Sequence, residues 1–335
     1  MLYITTKSGS DAFTTYKALH NSVACDGGRF LPFRLPSYST EEIQALRGKS
    51  FGQAVSDILN TFFSCRLTGW DVDFCIGRNN LRLSDAGNKI VVAELWHNLG
   101  ASYNYTVKRL YEEITKESGE PTDWFYIAAE IAFLFGIYAE LLKSDQHGYI
   151  HNIDISLPAG DFRSPVAAWY ARKMGLPIGT IICTGDDNGT VWDLIHRATF
   201  NTASASAELK ESIARLIQGT FGFEESNRFY EKCEKKQSYS IDEENLPLFN
   251  EGFFCAVAGE NRADSIINSV FRNNSYIIDP QTALCYGGLQ DYRARNGCNT
   301  LTVLTSRESP LSHANQITEA TGISKMKLEE LVNRS

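Results

Sequence analysis

The stretch IDISLPAGDFRSPVAAWYARKMGLPIGTIIC, from Ile153 to Cys183, reads as strand, turn, helix and strand. Ile153 to Leu157 is apolar and rich in branched side chains. A helix capped by Ser164-Pro165 follows and is stopped by Gly175, and Ile178 to Cys183 is a second apolar strand. Near-continuous apolar strands separated by a helix predict a parallel sheet covered on both faces. The alternation continues with a helix over Val191 to Phe200, a strand over Ser275 to Ile278 and a helix after Asp279-Pro280. A strand over Thr300 to Leu304 and helices from Leu311 and from Ser324 complete it. In such α/β sheets ligands bind beyond the carboxyl ends of the strands.

Upstream, the strand Ile90 to Leu95 passes through Trp96-His97-Asn98-Leu99-Gly100 into a polar-faced helix near Tyr105 to Glu117. A long helix from Pro121 to Lys143 has Pro in its first turn and Thr122 or Asp123 as cap. Its apolar run, Ile127 to Leu142, contains Glu130 and Glu140 and falls short of the ~20 residues that span a bilayer, so it reads as a core helix. Residues 1–88 form an N-terminal subdomain, with helices over Asp11 to Asn21, Thr40 to Leu46 after a Ser39 cap, and Phe51 to Phe63. Asp26-Gly27-Gly28 is a tight turn. Residues 89–335 carry the α/β domain.

A chain of 335 residues, 43% hydrophobic and 12% aromatic, buries roughly 75% of its unfolded surface, which excludes disordered, collagen-like and mini-protein classes. With 32 Lys and Arg against 40 Asp and Glu the net charge is −8, the wrong sign for a nucleic-acid partner. No basic segment leads into an apolar run at Met1 to Lys7, so a cytoplasmic protein without a membrane association is expected. The eight cysteines lack any C-x-x-C pair and read as buried thiols.

Several of these segments resemble threonine synthase, a fold type II pyridoxal phosphate (PLP) enzyme that converts O-phosphohomoserine to threonine. Tyr3-Ile4-Thr5-Thr6-Lys7 is similar to the family's Y-I-S-T-R start, and Ala24 to Pro32 to its A-P-D-G-G-L-x-x-P. Thr122-Asp123-Trp124 and the helix behind it resemble S-I-N-W-A-R. Pro158 to Phe162 and Ala171 to Pro177 resemble P-T-G-N-F-G-D and A-K-K-M-G-L-P, and Asp279 to Ala283 resembles D-P-H-T-A. The order is kept over nearly the whole chain. The resemblance implies a threonine-synthase-like parallel sheet with helices on both faces.

The departures fall on the cofactor chemistry. Where the family's E-L-F-H-G-P-T-L-A-F-K-D supplies the Schiff-base lysine, Asn104 stands in the aligned run from Glu94 to Tyr105, and an amide forms no imine. Lys108 lies one helical turn on, about 6 Å along the axis. The family's S-G-D-T-G loop has no counterpart before Gly119-Glu120-Pro121, so the small domain reads as largely deleted. The phosphate cradle G-N-F-G becomes Gly160-Asp161-Phe162-Arg163, which sets a carboxylate where backbone N–H groups would meet an anion. Thr305 sits where the family's threonine meets the pyridine nitrogen, followed by Ser306-Arg307-Glu308. Arg215 is what remains of S-N-x-E-R.

These residues define the expected site. His97, Asn104 and Lys108 are the catalytic candidates, with His97 as acid or base. Gly160, Asp161, Phe162, Arg163, Thr305 and Arg307 are the substrate- and anion-binding candidates, and the polar groups among them are expected to meet in one cleft. PLP is not expected as cofactor. The His147/His151 pair and the turn Thr184 to Gly189 read as connectors rather than metal sites. The favoured function is a repurposed, PLP-independent enzyme on a small amino-acid-like or phosphorylated substrate. The alternative is a catalytically dead scaffold, expected to pair as a homodimer through apolar faces of the long helix and the sheet that the deletion uncovers. The third is a genuine threonine synthase using Lys108.

Overall fold

A computed structural model of the chain describes residues 1–77, 81–145, 150–185, 189–257, 259 and 261–334. The N-terminal region opens with β1 (Leu2–Thr5), flanked antiparallel by β2 (Phe13–Thr14) and β3 (Phe30–Pro32). Helix α1 (Thr15–His20) starts later than the sequence predicts because Phe13 pairs with Tyr3 and Thr14 serves as N-cap. The Asp26 turn forms with Gly27 at φ +77, a conformation that favours glycine. Helices α2 (Thr40–Gln44), α3 (Phe51–Phe63) and α4 (Gly69–Ile76) each begin with a capping box, set by Ser39, Ser50 and Thr68.

The main sheet takes β4 (Arg82–Asp85) and β5 (Ile90–Glu94), then α5 (Tyr103–Thr115) and α6 (Asp123–Ser144) before β6 (Ile153–Pro158). After α7 (Arg163–Lys173) come β7 (Ile178–Gly185) and α8 (Thr190–Arg197). A peripheral pair, β8 (Thr199–Phe200) and β9 (Tyr239–Ser240), brackets α9 (Ala207–Phe221) and α10 (Phe223–Glu234). The short α11 (Leu246–Phe249), β10 (Phe253–Val257), α12 (Asn261–Asn274), α13 (Pro280–Asn296) and β11 (Thr302–Ser306) follow. Helices α14 (Ala314–Thr321) and α15 (Lys325–Arg334) close the chain. The strand order is β10-β7-β6-β11-β5-β4, parallel throughout except for β4.

Three expectations are corrected. Ser275 to Ile278 is not a strand: Ser275 leaves α12 at φ +55, and Ile277 and Ile278 are spent filling the cluster between α12, α13 and α14. The strand beside β7 is instead Phe253–Val257, which follows Gly252. The cap of α7 is Phe162, left-handed at φ +61, while Ser164 lies inside the helix. Helix α6 is long and apolar enough to cross a membrane, yet 89% of its most apolar window is buried within the protein. It lies against α3, α5 and α7, so it is not the uncovered face that a shortened chain was expected to leave.

Side chains alternate across the strands and sort the core into two faces. Ala93, Ile155 and Val303 join the cluster of α3, α6 and α7. Val92, Ile182 and Leu304 point the other way, onto Cys285 and Leu289 of α13.

Candidate functional site

The strand ends carry two polar networks, one per face. On the α6 side, Arg307 leaves β11 and pairs with Glu130, buried in the middle of α6. Arg307 Nη2 donates to Ser164 Oγ at 2.7 Å, and Ser164 Oγ donates to Glu130 Oε2 at 3.2 Å. The guanidinium lies 4.6 Å from the centroid of the Tyr103 ring. Burial pushes the Glu130 carboxyl above the usual range, and Arg307 only partly opposes it.

Beside this pair, Asp161 stands just before the Phe162 cap and bonds the first residue of α7. Its Oδ1 accepts from Arg163 N at 3.0 Å and its Oδ2 from Arg163 Nε at 2.5 Å. The Arg163 guanidinium stands 5.1 Å from the Tyr126 ring. A third pair, Arg215 with Asp123 at 2.6 Å, joins α9 to the start of α6, with Arg215 fully buried.

On the α13 side Glu94, at the end of β5, is the hub. It accepts from Ser84 Oγ at 2.6 Å and Tyr276 OH at 2.9 Å, and its Oε2 lies 2.6 Å from His97 Nε2. Arg82 stands 3.7 Å away. Burial works to raise Glu94, but the bonds from His97, Ser84 and Tyr276 outweigh it and hold the carboxyl low. His97 stacks on Trp96 at 3.8 Å, Trp96 Nε1 donates to Ser306 Oγ at 3.1 Å, and Ser306 Oγ donates to Asp279 Oδ2 at 2.7 Å.

The predicted residues therefore do not meet in one cleft. His97 goes to the α13 side with Glu94, whereas Arg163 and Arg307 lie on the α6 side. Asn104 is exposed in the first turn of α5, and Lys108 reaches outward to pair with Glu120. Thr305 is buried, and its Oγ1 has no hydrogen-bond partner. Phe162 is fully buried, its N–H donating to Ala159 O at 2.6 Å. Gly160, at φ +24, faces open space. The physical cause of the division is strand alternation: Glu94 and Ser306 turn to one face, Thr305 to the other.

Sequence reasoning passed over Glu94, Glu130, Ser164, Tyr103 and Tyr276. Glu130 carried a usable signal, since a carboxylate inside an apolar helix requires a buried partner. The Asn98 side chain pins the loop before α5, donating to Ser102 O and Thr106 Oγ1 at 2.9 Å each. Helices α5 and α6 are joined by residues 116–122 alone. Next to Gly160, a cavity of about 240 Å³ opens between the ends of β6, β7 and β10 and the starts of α8 and α9, lined in part by Gly185, Thr190, Ser206 and Cys255. His147, Asp186, Asp187 and Asn188 lie outside the described residues, and His151 is exposed. Among the described residues no group of three or more His, Cys, Asp or Glu is placed to hold a metal ion. All eight cysteines are free thiols.

Residues 2–78 match the family model described as the threonine synthase N terminus. The fold superposes on a PLP-bound threonine synthase from Brucella melitensis with a TM-score of 0.81 at 17% identity, covering 100% of this chain and 95% of that one. The chain is similar to threonine synthases, in sequence over residues 2–78 and in fold throughout. The yeast threonine synthase gives the same TM-score at 14% identity, over 99% of this chain and 94% of the yeast chain. Human threonine synthase-like 1 is 23% identical over 180 residues, which is 50% of this chain and 24% of the human protein. The mouse protein of that name is 24% identical over 223 residues, 62% of this chain and 29% of the mouse protein. This chain thus spans about a quarter of the length of the curated relatives it matches.

Proposed function

We propose that this threonine-synthase-like chain works without PLP, and that it serves as a binding or scaffold protein rather than as a threonine synthase. One observation carries the reading: each arginine on the α6 side of the strand ends already holds a carboxylate of the same chain. Arg307 holds Glu130, Arg163 holds Asp161 and Arg215 holds Asp123. None of these three cations is left to clamp a phosphate or an amino-acid carboxylate without breaking a partly buried ion pair, which is strongly unfavourable.

The cofactor meets the same obstacles. Position 104 offers an exposed amide in place of an amine, and the N–H of Arg163 at the start of α7 is already bonded to the Asp161 carboxylate. A phosphate placed there would face that carboxylate at close range. The residues present do not fit PLP. Small ligands have the 240 Å³ cavity beyond β6, β7 and β10 as a place to bind. A self-partner belongs to the scaffold reading, with the exposed Trp70, Phe74 and Leu99 as apolar contacts. Sedimentation at micromolar concentration tests it: a dimer is expected, and a clean monomer removes that part of the reading.

A second reading is favoured by the Glu94–His97 pair. A buried carboxylate that fixes one nitrogen of a histidine orients the ring for proton transfer through the other. A PLP-independent enzyme acting on a small amino-acid-like or phosphorylated substrate would use His97 Nδ1 in this way. Incubation with O-phosphohomoserine, homoserine and related amino acids without cofactor decides between the two. Turnover abolished by His97→Ala establishes the enzyme, and silence with every substrate leaves the scaffold.

A further inference from the structure

Away from the strand ends, a cavity of about 160 Å³ lies between α2, α3, α6 and the turn Ala45–Gly48. Its walls are Ile43, Leu46, Ala54, Ile58 and Phe135, none more than 6% exposed. Tyr38 completes them, its ring meeting Phe135 edge-on at 5.5 Å. Protein interiors leave few voids larger than a water molecule. An apolar cavity of about 150 Å³ walled by Leu, Ile and Phe stays dry and takes up benzene. The space here has room for one six-membered ring and is open to solvent on its polar side. The Tyr38–Phe135 pair supplies the edge-and-face surroundings that aromatic rings prefer.

The mouth is polar and carries a sign. Lys49 Nζ pairs with Asp57 Oδ2 at 2.6 Å, and Glu42, whose Oε2 accepts from Ser39 N, also lines the space, so it is lined by one cation and two carboxylates. Burial pushes the Tyr38 phenol up, which keeps it a neutral hydroxyl at the rim. A carboxylate tail leaving the cavity would meet net negative charge, whereas an ammonium tail would be attracted.

We propose that this cavity binds a single aromatic ring bearing a neutral or cationic tail, the class of simple arylalkylamines, and discriminates against rings bearing a carboxylate. It sits on the seam between the N-terminal helices and α6, so an occupant fastens that seam and raises the melting temperature.

The test titrates the full chain with phenethylamine, benzyl alcohol and phenylacetate, read by ligand-observed NMR and by thermal melting. Phenethylamine is expected to saturate below about 10 mM, to raise the melting temperature, and to bind roughly tenfold more tightly than phenylacetate. Ala54→Leu fills the cavity and abolishes binding. Glu42→Gln keeps the helix cap and narrows the preference for the amine, which holds the test open should Ala54→Leu fail to fold. Equal binding of phenylacetate, absence of saturation by phenethylamine, or an unchanged preference in Glu42→Gln overturns the proposal.

Discussion

Glu130 and Glu94 are buried carboxylates on opposite faces of the sheet, and the two are neutralised differently. Glu130 sits inside an apolar helix with one arginine and one serine, and its carboxyl is pushed up. Glu94, at a strand end, collects a histidine, a serine and a tyrosine, with an arginine just beyond, and is held low. The contrast shows that burial alone does not set a carboxylate's behaviour. The number of donors reaching it does. It also separates the two sides of the strand ends: the α13 side gathers donors around Glu94, while the α6 side is built on internal ion pairs.

The largest expected effect breaks the sparser network. Arg307→Ala strands the Glu130 carboxylate and costs about 3–5 kcal/mol in urea unfolding. Arg82→Ala, removing the most distant partner of Glu94, costs no more than about 1 kcal/mol. Equal losses would dissolve the contrast.

The next tests use pH, where the two sides have opposite signs. Because Glu130 is raised in the folded protein, the folded state holds the extra proton above the ordinary carboxylate range, and stability falls as pH rises through that window. Glu94 is held low, so the unfolded chain takes up the proton first, and stability is lost as pH falls below the ordinary range. Urea midpoints measured across pH should lose the first slope in Glu130→Gln and the second in Glu94→Gln.

A smaller effect comes from Tyr276→Phe. It removes one donor from Glu94, costs about 1–2 kcal/mol, and shifts the acid limb of the stability curve toward higher pH. The smallest sits at the surface: Lys108→Met breaks an exposed pair with Glu120 and leaves the urea midpoint unchanged.

Much of the scaffold was legible. Period and punctuation located α3 to the residue and gave β6, β7 and β11 with small boundary errors. The Ser39 cap and the enclosure of α6 were readable because they depend on local side chains and apolar content. Ser275 to Ile278 misled because an apolar run looks the same whether its backbone pairs in a sheet or its side chains plug a gap between helices. The site was less legible. The departures from the family's patterns at Asn104, Asp161 and Arg163 could be read directly, but the division of His97 from Arg163 and Arg307 follows from which way each strand end faces. Pairings such as Arg307 with Glu130, far apart in sequence, exist only once the sheet has formed.

Titration of the purified protein with PLP, followed by borohydride reduction and peptide mapping, tests the central claim most directly. With an exposed amide at Asn104 and the Asp161 carboxylate at the start of α7, the prediction is no stable imine absorbance and only scattered, substoichiometric adducts on surface lysines. One equivalent fixed at a single lysine, Lys108 above all, would contradict the account.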